Sequence, residues 1–378
     1  MSRTSPSNRG IRQIRTAAAA RDRRIVRALA RWFAANARDL PWRDAPAGRR
    51  DPWATLVSEV MLQQTQVARV VERFEPFLRR FPSPRALASA DEQVLLREWS
   101  GLGYYRRARG LHAAARTIVR VHGGAVPDRT ADLLALPGIG RYTAAAVSSL
   151  AFGHAEPAVD ANVRRVILRI DGVHQSASTS ATDRAIWKRA AALVAHADAP
   201  GVHTEALMEL GATVCTARKP ACGKCPLRGD CIAAAKGTQD RAQRITRRAP
   251  RTVIDHAVVL ARDAAGWVLI EQRPDHGLWA SQWQAPTLET AQGEGRPPSA
   301  RRIASWLGVA RVIPARQPGF TFLTTHRVVR FTLWEVPSGE PAAPARGRFM
   351  APAKALALPL TTPQRRILLR FLDGTSAH

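Results

Sequence analysis

Four cysteines, Cys215, Cys222, Cys225 and Cys231, are crowded together with the spacing C-x6-C-x2-C-x5-C. In a chain without the apolar leader of a secreted protein, this reads as a metal or cluster site rather than a disulfide frame. Four thiolates suit zinc and also suit a [4Fe-4S] cluster, and the spacing alone does not choose. Arg218, Lys219, Lys224 and Arg228 lie among the ligands, so the same loop can meet phosphate. A second constellation is Leu136-Pro137-Gly138-Ile139-Gly140, followed by Arg141 and an apolar helical run. Two helices joined by such a turn expose backbone N–H groups at the start of the second, a nest for phosphate. About twenty residues later Asp160 stands directly before a helix whose apolar positions are Val163, Val166, Ile167 and Ile170.

The elements that must position these groups are helical. A short helix ends at Ala135, with Thr130 expected as its cap, and the next runs from Arg141 to about Ala151. Asp51-Pro52 starts a helix through Val67, with Leu56, Val60, Val67 and Val71 as its buried stripe and Glu59 beside that stripe. Ile25–Ala35 reads as an amphipathic helix behind a disordered basic tail, 1–24, of seven arginines and one aspartate. No strand pattern occurs before residue 235. Residues 236–251 read as a basic linker. Beyond it the texture turns β-branched and apolar. Thr252–Ala261 and Gly266–Gln272 read as a hairpin, Val328–Val336 as a further strand, and 299–307 and 363–372 as helices.

The chain of 378 residues is long enough for two domains, and 46% hydrophobic residues supply ample core. Its formal charge of +27 comes from 57 basic residues, only five of them lysines. Such a surplus favours a polyanion, foremost nucleic acid. No apolar run reaches about 18 residues, so no membrane span is expected. The expected setting is the reducing cytoplasm of a prokaryote, on the nucleoid, as a monomer.

Hairpin, aspartate and cysteines together resemble the helix-hairpin-helix DNA glycosylases, and among them the adenine DNA glycosylases of the MutY type. The resemblance is strong over 25–235 and looser over 252–372. Its most specific motif is Ser58-Glu59-Val60-Met61-Leu62-Gln63-Gln64-Thr65-Gln66-Val67, joined by Gly101-Leu-Gly-Tyr-Tyr105 and Val159-Asp160-Ala-Asn162-Val163. It implies an all-α catalytic domain, with a six-helix part at about 50–155 and a cluster-bearing part at 25–49 and 156–235. It also implies a [4Fe-4S] cluster on the four cysteines and an α+β Nudix-like domain at 252–372. The activity implied is base excision: hydrolytic removal of adenine mispaired with 8-oxoguanine or guanine in double-stranded DNA. Glu59 is then the general acid, kept protonated by desolvation, and Asp160 the ionised partner of the developing sugar cation. Asn162 orients the sugar or a water. Gln64 and Tyr104 wedge into the duplex, and Gly138, Gly140 and Arg141 hold its backbone. Tyr142 stands where bifunctional relatives carry a lysine; no Schiff base forms there, so strand nicking is not expected. The alternatives are an endonuclease III-like enzyme acting on thymine or oxidised pyrimidines, and a non-catalytic iron–sulfur DNA-binding protein.

In the second domain, Gln272-Arg273-Pro274, Gly277-Leu278-Trp279 and Gln284-Ala285-Pro286 carry the Nudix-like resemblance. A working Nudix box needs clustered glutamates for magnesium. This chain offers Glu289 and Glu294, then Arg301-Arg302, so nucleotide hydrolysis is not expected. The family reads 8-oxoguanine through a Phe-Ser-His loop. Its counterpart here is Thr324-Thr325-His326, with Thr325 and His326 as the reading residues and the aromatic absent.

Overall fold

The computed structural model describes residues 8–173, 180–241, 250–290, 298–337 and 344–373, and the side chains of all but 8–15 and 241 of these. The described residues form two compact units, one from 1–89 and 109–246, the other from 90–108 and 247–378. Helices fill the first part of the chain. They are α1 (Asn8–Asn36), α2 (Pro52–Leu62), α3 (Val67–Arg80), α4 (Pro84–Ala88), α5 (Glu92–Glu98) and α6 (Arg106–Val121). Then come α7 (Thr130–Leu134), α8 (Arg141–Phe152), α9 (Ala161–Ile170), α10 (Ser180–Val194), α11 (Pro200–Thr213) and α12 (Ile232–Ala235).

The basic stretch expected as a disordered tail is corrected from Asn8 onward: it is the first part of α1. Ion pairs hold it. Arg21 donates to the carbonyls of Ile170 (2.8 Å) and Asp230 (2.7 Å), and Asp22 receives both terminal nitrogens of Arg189 at 2.6 and 2.7 Å. One turn on, Ile25, Val26 and Leu29 pack against Val163, Val166, Ile167 and Leu207. Residues 1–7 of that expectation lie outside the described residues.

α2 begins as its sequence dictates, with the Asp51 carboxylate accepting from the Ala54 N–H at 2.6 Å and Pro52 in the first turn. It stops at Leu62, and Val67 opens α3 in a new phase. The single stripe expected through Val67 and Val71 is therefore broken: Val71 is 39% exposed, and Val70 is the buried residue. Thr130 is likewise not a cap. It is the first residue of α7 behind Arg129, and its hydroxyl donates to that of Ser148 at 3.1 Å.

The second unit carries the strands β1 (Thr252–Leu260), β2 (Val268–Gln272), β3 (Trp283–Gln284), β4 (Thr287–Thr290), β5 (Ile313–Pro314), β6 (Phe320–Leu323), β7 (Arg327–Glu335) and β8 (Arg348–Met350). Its later helices are α13 (Ala300–Leu307), α14 (Pro352–Leu356) and α15 (Thr362–Asp373). β1 lies between β4, antiparallel, and β7, parallel, with Thr252 opposite Arg327. β5 and β6 pair β7, and a second sheet runs β3-β2-β8. The expected hairpin of β1 with β2 does not form. The turn after Arg262 does form, with Asp263 accepting from the N–H groups of Ala265 and Trp267. Beyond it β2 leaves for the other sheet after one bridge, Arg262 to Val268. Ile254, Val258, Val329 and Phe331 pack with Ile367 and Leu368 of α15, while Ala257, Val259 and Leu269 pack on Ile303 and Leu307 of α13.

Candidate active site

Glu59 sits in the middle of α2 and is 5% exposed. One carboxylate oxygen, Oε2, has no hydrogen-bond partner. Burial drives its pKa from the ordinary carboxylate value up to about 7, against the lowering effect of a hydrogen bond with Tyr142. The charges of Asp160 and Glu205 push in the same direction as burial, and Arg50 opposes them. Tyr142, in the first turn of α8, has its hydroxyl 3.7 Å from the Met208 sulfur of α11. Burial and the two carboxylates hold that phenol well above its ordinary pKa, so it remains a neutral donor. The end of α2 is tied to α8 by Gln63, whose amide donates to the Thr143 hydroxyl at 3.1 Å.

Asp160 caps α9. Its Oδ1 accepts from the Val163 N–H at 2.7 Å and its Oδ2 from the Asn162 amide at 2.8 Å. The sequence led us to expect that the helix terminus alone would keep this acid low. Burial is the larger influence and raises its pKa, opposed by the hydrogen bonds from Val163 and Asn162 and by the charge of Arg165. The contrast with Glu59 is thus one of partners: Asp160 has both oxygens engaged, and Glu59 has one bare. Arg165 holds Asn162 in turn, donating to its Oδ1 at 2.8 Å, to the Gly211 carbonyl at 2.7 Å and to the Cys215 carbonyl at 2.7 Å. A Cβ at Gly211 would lie 2.7 Å from that of Asn162, so α11 approaches α9 only with glycine there.

Gly138 takes φ +75°, and a Cβ there would meet the Gly110 Cα at 2.9 Å; the turn lies directly on α6. Gly140 leads α8 with no side-chain cap, which leaves the first N–H groups of that helix to a ligand. Arg141 is exposed, its guanidinium stacked 3.8 Å over the Trp187 ring. Gln64 is exposed and left-handed, φ +57°. Tyr104 is left-handed too, φ +49°, and 40% exposed. Non-glycine residues adopt this conformation at a cost and concentrate at functional sites. Within the second unit, the Tyr104 hydroxyl hydrogen-bonds that of Thr325, at the tip of the β6–β7 hairpin. His326 is exposed beside it, and Leu323, 57% exposed, is the apolar side chain that the hairpin presents. Glu289 is engaged by His256 at 3.3 Å and by Arg273 at 2.9 Å, contacts that lower its pKa to about 2 against the effect of burial; Glu294 lies outside the described residues.

The four cysteines line one pocket together with Arg169, Val214, Pro220 and Gln239. Among the described residues, no three His, Cys, Asp or Glu side chains converge on a point that would hold a single metal ion. Four cysteines lining one pocket are the donor set that a [4Fe-4S] cluster takes. N–H donors already face them: Arg169 lies 3.3 Å from the Cys215 sulfur, and Gln239 3.8 Å from that of Cys222. The residues fit a [4Fe-4S] cluster, which when bound ties four points of this loop into one rigid unit.

Several residues around the two carboxylates escaped the sequence reading: Arg50, Arg165, Glu205 and Met208. One signal was present. Glu205 and Glu209 are the two acids of a helix whose other residues, His203 apart, are apolar or small, and they are spaced to share a face.

A helical unit with buried Glu59, half-buried Asp160, a glycine hairpin and a four-cysteine pocket defines a base-excision DNA repair protein. Residues 57–192 match the HhH-GPD superfamily of such proteins, 215–231 the iron–sulfur binding domain of endonuclease III, and 257–370 a NUDIX domain. The chain is 32% identical over 399 residues to the adenine DNA glycosylase of Mus musculus, covering 90% of this chain and 76% of that one. Over 200 residues it is 47% identical to that of Mycobacterium tuberculosis, covering 52% of this chain and 63% of the relative. The structure of a thermostable thymine-DNA glycosylase superposes with a TM-score of 0.52 at 30% identity, over 58% of this chain and 99% of that one. The chain belongs to the adenine DNA glycosylase family, and its cofactor is a [4Fe-4S] cluster.

Proposed function

We propose that this protein hydrolyses the N-glycosidic bond of adenine mispaired with 8-oxoguanine or guanine in duplex DNA. The carrying observation is Glu59, buried, with one bare oxygen and a pKa of about 7. Such a group holds a proton at neutral pH and can pass it to a ring nitrogen of the base, making adenine a competent leaving group. Asp160, anchored by Val163 and Asn162, supplies the negative charge that the developing oxocarbenium ion needs. Tyr142 donates its hydroxyl to Glu59 and puts no amine near the sugar, which supports hydrolysis without strand cleavage. Asn162 fixes one oxygen of Asp160. Gly138, Gly140 and Arg141 hold a backbone phosphate, and Gln64 and Tyr104 fill the gap that a flipped nucleotide leaves. Thr325 and His326 read the base opposite. The working form is a monomer on the chromosomal DNA of a prokaryotic cell.

The test is a duplex with adenine opposite 8-oxoguanine, incubated without magnesium and developed with hot alkali. Wild type should cleave only after alkali. Glu59→Gln and Asp160→Asn should each slow base release by about 10³-fold or more while still binding the duplex. Near-normal turnover in either variant defeats the assignment. Preference for thymine or an oxidised pyrimidine would move the protein to the endonuclease III-like reading.

A further inference from the structure

α11 buries its two acids almost completely, with Glu205 at 4% and Glu209 at 1% exposure. Three arginines from the segment leading into α2 meet them. Arg38 grips Glu209 through Nε (2.6 Å) and a terminal nitrogen (2.9 Å). Arg43 bridges the two acids, with Nε 2.6 Å from Glu205 and a terminal nitrogen 2.9 Å from Glu209. Arg50 makes a two-pronged contact with Glu205 at 3.0 and 2.7 Å, and its Nε reaches the Ala45 carbonyl at 2.9 Å. Cations and anions therefore alternate in the order Arg38, Glu209, Arg43, Glu205, Arg50, with one positive charge in excess.

The ends of this chain are informative. Arg50 directly precedes Asp51, the residue that caps α2, the helix carrying Glu59. The acids sit on the helix whose Met208 meets the Tyr142 hydroxyl and whose Gly211 is pressed on Asn162. Its Thr204 accepts from the Ser149 hydroxyl of α8 at 3.0 Å. A Cβ at Gly201, also on α11, would come within 2.7 Å of the Ser149 carbonyl and 3.0 Å of the Gly48 nitrogen. One helix thus abuts the neighbours of both carboxylates and is fastened by ion pairs to the segment before the third participating helix.

We propose that this arginine–glutamate chain is the positioning device of the proton donor: it locks α11 to the entrance of α2 and fixes the charges of Glu205 and Arg50 at the start of the helix that carries Glu59. The proposal rests on the reading of Glu59 as donor. Four groups bear on Glu59: Tyr142 from α8, Asp160 at the head of α9, Glu205 from α11, and Arg50 from the segment before α2. Glu205 and Arg50 act in opposite directions, so removing one leaves the other unopposed.

The experiment is single-turnover adenine release by the cluster-loaded full-length protein from pH 5 to 9. Arg50→Gln should move the alkaline limb upward by about half a unit or more, and Glu205→Gln should move it downward by a similar amount. Arg50→Lys keeps the charge and loses the fork; its limb should stay at the wild-type position while the plateau rate drops several-fold. Arg38→Gln, at the far end, should lower the plateau and leave the limb in place. A purely structural role lowers all plateaus and moves no limb, and that result overturns the proposal, as does movement of the two limbs in the same direction. Should Arg50→Gln not fold, Glu205→Gln decides alone, since its amide oxygen still accepts from the arginines. A Glu59→Gln variant that retains base release sinks the donor reading itself; an inactive Glu59→Gln with unmoved limbs sinks this inference only.

Discussion

Burial gives Glu59 its proton, and the same burial makes this carboxyl a burden on the fold. In the unfolded chain it ionises near 4.5, and in the native state near 7. Between those values the folded form binds more protons at this site, so its contribution to stability declines as pH rises through the window. Above pH 8 the deficit amounts to about 3 kcal/mol, from a shift of about 2.5 units at about 1.36 kcal/mol each. Glu59→Gln removes the ionisable group and keeps the shape. The variant should therefore be more stable than wild type at pH 8, by about 2–3 kcal/mol, with the gain nearly gone at pH 5. Denaturant unfolding at the two pH values checks this. A variant equally destabilised at both would mean that Glu59 is ionised and well paired in the fold. The residue scale is also where sequence was most legible. Asp51 and Asp160 cap their helices through bonds to residues three positions on, and so local a pattern can be read directly. Arg50 and Glu205 could not be read so, being 155 positions apart; only the folded chain brings a fork onto its carboxylate.

Among the elements, the glycine hairpin, proposed as the phosphate cradle, is shaped by contact rather than by flexibility. Gly138 is needed twice over, for its left-handed φ of +75° and for the 2.9 Å approach of the Gly110 Cα, which any Cβ would obstruct. Gly138→Ala meets a backbone penalty of about 1–2 kcal/mol together with steric overlap against α6. The turn should shift, and the uncapped start of α8 with it. Binding to an uncleavable duplex should weaken by about tenfold, worth about 1.4 kcal/mol. Single-turnover release at saturating enzyme should fall less than binding, because Glu59 and Asp160 lie on other elements and only Tyr142, in the first turn of α8, would pass the shift on to Glu59. Equal losses in binding and release would mean that the hairpin also shapes the catalytic pocket. Element order and helix type were visible in the hydrophobic period, and strand partners were not. The turn after Arg262 forms as its residues suggest, yet β2 joins β3 and β8 because the neighbours of β1 arrive from remote β4 and β7. A turn signal constrains its own residues and leaves the sheet open. The break between α2 and α3 is similar: Gln64 adopts φ +57° in a sequence that reads as continuous helix, so strain at a residue proposed to enter the duplex overrode the pattern.

For the molecule as a whole, a formal charge of +27 pointed to nucleic acid without locating it. The structure divides the arginines into two populations. Arg43, Arg50, Arg165 and Arg169 are turned inward onto carboxylates, carbonyls and the cluster loop, and their charge is held by the protein itself. Others face solvent: Arg141 at the hairpin, and Arg218, Lys219, Lys224 and Arg228 around the cysteines. Only this second population can release counterions from DNA. If about six phosphates are neutralised, affinity for a mismatched duplex should fall by about 10³-fold between 50 and 200 mM salt. Arg141→Ala should reduce the slope of log K against log salt by about one, since stacking on Trp187 holds that guanidinium at the proposed phosphate nest whatever the sequence bound. Replacing Lys219 and Lys224 together by alanine should reduce it by about two if the cluster loop also lies on the backbone. A slope unaltered by the lysine pair would confine the DNA surface to the hairpin and leave the cluster loop a purely structural tie.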